Sequence, residues 1–209
     1  EQLIKELNKN EEGIGREKLD HYMSIIKNNT KRLLKIINDL IDSSKIEHGS
    51  YNINIEEIDI VYVVEEAALS MKEYIGAKDI ELIVDPEIEE KIIEADKSEI
   101  ERCIVNIVGN AYKFTEPGGV IKVVIIDLGD SVRIEISDTG IGIDKKDHDL
   151  IFNRFNQVID PSSEVKKGSG LGLTITKKII DLHNGDIYVK SIPGQGSKFI
   201  IVLPVKQER

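Results

Sequence analysis

Asn106-Ile-Val-Gly-Asn110-Ala-Tyr-Lys113 is the stretch on which the reading of this chain turns. Around it Ile100, Ile104, Ile107, Ala111 and Phe114 recur at steps of three and four, the period of a helix with one buried stripe. Asn106, Asn110 and Lys113 follow the same steps on another face, so two amides and an ammonium point one way. An amide oxygen is a competent Mg²⁺ ligand, and a lysine one turn further on can meet a phosphate oxygen that the same ion bridges. Taken alone, the segment reads equally well as a solvated polar face.

Three further segments follow in order. Asp138-Thr-Gly140-Ile-Gly142-Ile begins where Val132, Ile134 and Ile136 stop alternating, which puts an acceptor-only carboxylate at a sheet end. Gly140 and Gly142 let main chain approach a flat ligand there. A plain turn is the other reading. An aspartic protease motif is a third, but it needs a second Asp-Thr-Gly and the chain has one copy. Gly168-Ser-Gly170-Leu171-Gly172-Leu173 opens a helix predicted over 171–183, whose free N–H groups favour phosphate, with Lys166 and Lys167 adding charge beside it. Its spacing is neither a dinucleotide fingerprint nor a P-loop. Pro193-Gly194-Gln-Gly196-Ser197 predicts a turn between two closing strands, with Ser197 a contact near the base.

Outward from these segments, the chain after Gly49 alternates short strands with helices. Ile53, Ile55 and Ile58 begin an extended run, 61–75 reads as a helix, and 80–84 and 91–93 read as strands. Strands over 120–126 and 132–136 flank the turn chemistry of Asp127-Leu-Gly129-Asp130, and 187–192 with 199–203 close the chain. Adjacent strand pairs with few helices predict an α+β fold, a two-layer α/β sandwich with a mixed sheet and helices on one face. Before Gly49, 17–48 carries Leu19, Tyr22, Ile26, Leu33, Ile36 and Leu40 at helical spacing, widened by Met23, Leu34, Ile37 and Ile41. A helix of that length runs on the order of 45 Å, too long for a small domain to cover alone. It reads either as a packing helix or as half of a dimerising hairpin. The division expected is 1–48 and 49–209.

Charge and composition exclude some partners. A formal net charge of −10, from 38 acidic and 28 basic residues, argues against a nucleic-acid or anionic-membrane surface. The single cysteine, Cys103, falls on the apolar face of a helix and reads as a core residue. No apolar run reaches the roughly 18 residues of a spanning helix and no signal peptide opens the chain, so a soluble protein is expected, cut from something longer.

In this order and at these separations the four segments resemble the N, G1, G2 and G3 boxes of the ATP-binding domain of bacterial sensor histidine kinases, in the GHKL or Bergerat-fold ATPases. The resemblance reaches upstream over 29–49, which looks like the second helix of that family's dimerisation and phosphotransfer hairpin, and downstream over Phe152, Arg154 and Phe155, which look like its F box before a lid over 156–167. It implies ATP and Mg²⁺ as cofactors, Asn110 as the metal ligand, Lys113 as a phosphate contact and Asp138 as the reader of the adenine amine. It implies a glutamate in hydrolytic relatives where Asn106 stands, so that this pocket holds ATP rather than hydrolysing it quickly. Gln157 stands where some members place an arginine. The family's acceptor histidine is followed by an acidic residue and, shortly after, by a proline on the first hairpin helix, and His21, His48, His148 and His183 lack that combined context and read as surface histidines. The resemblance therefore implies a protein histidine kinase whose acceptor helix is missing from the chain. That enzyme passes phosphate to a response-regulator receiver domain, as a homodimer, from the cytoplasmic part of a membrane-anchored sensor kinase. A GHKL serine kinase of the anti-sigma kind and a nucleotide-binding interaction module without chemistry are the alternatives.

Overall fold

A computed structural model of the chain describes residues 16–154, 156 and 170–207. Two compact units meet in sequence at Ser44 and Lys45. The long helix Arg16–Glu47, 32 residues of α-helix, belongs to the first as far as Ser44. Its apolar stripe is open, with Met23, Leu33, Leu34 and Leu40 each more than half exposed. Among the described residues no helix is long and apolar enough to cross a membrane.

The second unit is the α+β sandwich. Its main sheet runs in the order β2 (Glu81–Val84), β4 (Val120–Asp127), β5 (Ser131–Asp138), β7 (Ser197–Pro204), β6 (Asp186–Ser191). Only β2 and β4 are parallel, and the other neighbours are antiparallel, so the sheet is mixed. β1 (Glu56–Asp59) and β3 (Ile92–Ala95) form a separate two-stranded ribbon. Burial alternates strictly along the centre of the sheet: Ile121, Val123, Ile125, Val132, Ile134 and Ile136 are fully buried. Their neighbours Lys122, Arg133 and Glu135 lie on the other face, where Lys198 pairs with Glu135 at 2.7 Å and Lys122 with Asp85 at 2.8 Å. One face is thus apolar and helix-covered, while the other carries these charged pairs beside the buried Ile200.

The helices on the apolar face are Ile60–Leu69, Lys97–Phe114 and Gly172–Leu182. The single helix expected over 61–75 is in fact two: the first ends at Ser70, whose hydroxyl donates to the Ala67 carbonyl at 2.7 Å, and a separate short helix, Lys72–Gly76, follows. Asp59 caps the first by accepting from Val61 N–H, and Asp96 caps the second by accepting from Glu99 N–H. Asn184, in the left-handed region at φ 52°, ends the third. Cys103 is fully buried, as expected of a core residue, and burial pushes its thiol far above the ordinary range.

Candidate functional site

The period of the central strand decides where Asp138 goes. Val132, Ile134 and Ile136 face the helices, so the next residue of that series also does, and Asp138 is only 9% exposed. The strand ends there. Gly140 N–H donates to Asp138 Oδ1 at 2.8 Å, and Ser197 N–H, from the paired end of β7, donates to the same oxygen at 3.3 Å. Oδ2 has no hydrogen-bond partner among the described residues. Burial pushes the Asp138 carboxyl above the usual carboxylate range, against the opposing pull of those two N–H groups. The result is a fixed carboxylate with one oxygen occupied and one acceptor free.

Around it three of the four boxes are stitched together by main chain. Ile141 N–H donates to the Phe114 carbonyl at 3.2 Å, tying the second box to the end of the helix that carries the first. Gly194 N–H donates to the Ile141 carbonyl at 2.7 Å, and Ile143 N–H donates to Ser191 Oγ at 2.8 Å, tying the second box to the last. Gly142 lies against the Ile192 carbonyl. Gly194 and Gly196 form the expected turn, at φ 77° and 87°. A side chain on Gly196 would run into the Asp138 carbonyl, so this turn can close on the carboxylate only with glycine there.

The third box joins through a side chain. Asn106, half-buried, donates from Nδ2 to Thr176 Oγ1 at 3.0 Å, and its Oδ1 lies where a side chain on Gly172 would be. The two box helices meet at that amide. Asn110 and Lys113 continue the Asn106 face, both half-buried. Asn110 makes no hydrogen bond among the described residues, while the Lys113 ammonium lies 4.6 Å from the centre of the Phe114 ring. Gly170 (φ 72°) and the buried Leu171 lead into the Gly172–Leu182 helix, and Leu173 packs partly against the core. Phe152 is buried edge-on to Phe199, with Lys177 Nζ 5.6 Å from its ring centre. Arg154 forms an ion pair with Glu47. Phe155, Lys166, Lys167, Gly168 and all of 156–167 except Asn156 lie outside the described residues.

One histidine departs from its expected place on the surface. His183 is fully buried: Nδ1–H donates to the Ile179 carbonyl at 2.7 Å and Nε2 accepts from Asp96 N–H at 2.9 Å. It belongs to the core because it ends a helix against the start of another, a tertiary placement that no neighbour in sequence announces. Thr176 and Ser191 were also missed. Thr176 follows Gly172 by one helical turn, so the helical period pointed to it. Ser191 ends an ordinary strand, and only the fold shows that its hydroxyl lies 2.7 Å from the Gly196 carbonyl and 3.1 Å from Ser197 Oγ.

Residues 95–207, a span holding all four boxes, match a sequence model described as the histidine kinase-, DNA gyrase B- and HSP90-like ATPase. The chain belongs to that family. Hybrid signal transduction histidine kinase L of Dictyostelium discoideum is 39% identical over 194 residues, which is 90% of this chain and 11% of that protein. The chain thus spans about a tenth of the length of that curated relative. Full-length ShkA in complex with AMPPNP shares the fold, with a TM-score of 0.80 at 24% identity over 97% of this chain and 41% of that one. The histidine kinase ThkA in complex with the response regulator protein TrrA has a TM-score of 0.73 at 25% identity over 97% of this chain and 55% of that one.

Proposed function

We propose that this chain is the catalytic ATP-binding part of a sensor histidine kinase. On this reading it binds Mg-ATP and delivers the γ-phosphoryl to a histidine on a phosphotransfer helix outside these residues, for relay to a response-regulator aspartate. The observation that carries the reading is the Asp138 carboxylate. Oδ1 is held by two N–H groups and Oδ2 is open at the end of the sheet, which matches one donor of an exocyclic amine on a flat base.

The remaining residues fit the rest of such a ligand. Among the described residues no three His, Cys, Asp or Glu side chains gather as a metal cage. Mg²⁺ would therefore rely on one protein oxygen and on phosphate oxygens, its usual arrangement in phosphoryl-transfer sites, and Asn110 is the uncommitted amide on the right face. When bound, the ion neutralises charge on the phosphates. Lys113 supplies a further positive charge, and the main chain from Gly170 to Leu173 supplies N–H donors at a helix start. Asn106 has an amide where a general base would need a carboxylate, and Thr176 holds that amide in place. The residues therefore position ATP, and Asn106 offers water no base, which suits transfer to a histidine over hydrolysis. The kinase relative bound to a response regulator supports the relay partner. Isothermal titration of the chain with an ATP analogue and Mg²⁺ tests the reading: saturable 1:1 binding supports it, and no heat at millimolar nucleotide refutes it.

A further inference from the structure

Asp96 does three jobs with three atoms. It sits at the N-cap of the Lys97–Phe114 helix with extended backbone (φ −84°, ψ 109°) and is 7% exposed. Oδ1 accepts from Ser98 Oγ at 2.8 Å and from Glu99 N–H at 3.1 Å, which completes the cap. Oδ2 accepts from Asn54 N–H at 2.7 Å, across 42 residues of sequence. Its own N–H donates to His183 Nε2 at 2.9 Å, and the histidine is held from behind by the Ile179 carbonyl. A cap needs one oxygen, and serine or asparagine would serve it as well. The second oxygen is buried and spent on a main-chain N–H in the irregular segment 50–55, which joins the long helix to β1.

We infer that Asp96 is a positioning residue that couples the segment following the long helix to the nucleotide pocket, with His183 fixing the same point to the third-box helix. The inference rests on the nucleotide reading above. The helix capped by Asp96 is the one that carries Asn106, Asn110 and Lys113, and the helix ended by His183 begins at Gly172. A rigid helix transmits a displacement of its cap to its far end, so tension on Asn54 reaches the first box through its helix and the third through His183. Coupling is reciprocal: nucleotide that fixes the two helices also tightens the Asn54 contact.

The two oxygens can be separated experimentally. Asp96→Asn keeps Oδ1 for Glu99 N–H and places an NH₂ donor against Asn54 N–H, so the cap survives and the tether does not. Asn54→Pro removes the donor from the other end. Amide exchange is followed in the chain with and without a non-hydrolysable ATP analogue and Mg²⁺. In the wild type the analogue is expected to slow exchange in the Lys97–Phe114 helix and also at Asn54, there by at least about fivefold, the lower end of usual site-to-site coupling. Asp96→Asn is expected to abolish the nucleotide-dependent slowing at Asn54 and to weaken analogue binding by a similar factor. The double variant is expected to bind no worse than either single variant, because both cut one contact. Slowed exchange in the helix with none at Asn54 overturns the inference and leaves the nucleotide reading standing, as does wild-type affinity in both single variants. No slowing anywhere at saturating analogue overturns the nucleotide reading and the inference with it.

Discussion

Asp138→Asn separates the role of this carboxylate in the fold from its proposed role in recognition. The variant has the same shape, and its Oδ1 can still accept from Gly140 and Ser197 N–H, so the clamp of the second box on the last is retained. In place of Oδ2 stands an NH₂ group, which presents a donor to the donor of an adenine amine. Losing one hydrogen bond to a charged acceptor is worth about 1.5–3 kcal/mol, or roughly 10- to 150-fold in Kd at 1.4 kcal/mol per decade. Stability moves the other way. The folded carboxyl titrates above its unfolded value, so ionising it opposes folding, and that penalty grows as pH rises from about 4 through the raised value. The neutral amide removes the penalty, and the variant is expected to melt at or slightly above the wild type at pH 7. Nucleotide affinity of the wild type is expected to fall on acidification through the raised Asp138 range, while the variant stays flat. Calorimetric titration at several pH values, with thermal melts in the same buffers, reads all of this. A well-folded variant binding within a factor of two of the wild type would refute the assignment.

Three further outcomes follow from the same geometry. Gly196→Ala combines a left-handed backbone with a collision against the Asp138 carbonyl, whereas Gly194→Ala has the same backbone and open space. Urea unfolding is expected to show a loss of roughly 1–2 kcal/mol for Gly194→Ala and a clearly larger one for Gly196→Ala; equal losses would contradict the close approach. Phosphate release from ATP by the wild type is expected to be slow and to rise in Asn106→Glu, and brisk wild-type turnover would remove the amide from its proposed role. In Asp96, burial opposes ionisation, but the donors from Asn54, Ser98 and Glu99 win and hold the carboxyl below the usual range. Its stabilisation is therefore present above pH about 4 and lost as pH falls through the lower folded value. Asp96→Ala is expected to cost on the order of 1–2 kcal/mol at pH 7, with the gap to the wild type closing below pH 4 in urea melts.

The sandwich was legible because its signals are local. The two-residue period of 132–136 and the three-four period around Ile100 to Phe114 fix which faces are buried, and those periods carry Asp138 and Asn106 to the positions the structure gives them. The break at Ser70 was not legible, since no glycine or proline marks it between Val61 and Ile75. The contacts that make the site a unit were hidden for a different reason. Asn106 with Thr176, Asp138 with Ser197 and Asp96 with His183 are separated by 70, 59 and 87 residues. Each residue alone reads as an ordinary polar position, and their meeting is a property of how the strands pair and the helices pack against one another. His183 shows the cost of reading only neighbours: its partner Asp96 lies on another helix's cap.

Positioning of ATP by this chain for transfer to a histidine it does not itself supply is read out by phosphotransfer in trans. The chain is incubated with γ-labelled ATP and Mg²⁺, alone and with a separate helical hairpin protein carrying a histidine followed by an acidic residue. Label is expected on the added hairpin only, labile to acid and stable to alkali, accumulating slowly because tethering no longer supplies effective concentration. Acid-labile label on the chain alone, abolished by His21→Gln, would contradict it, as would nucleotide binding with no label on any hairpin offered.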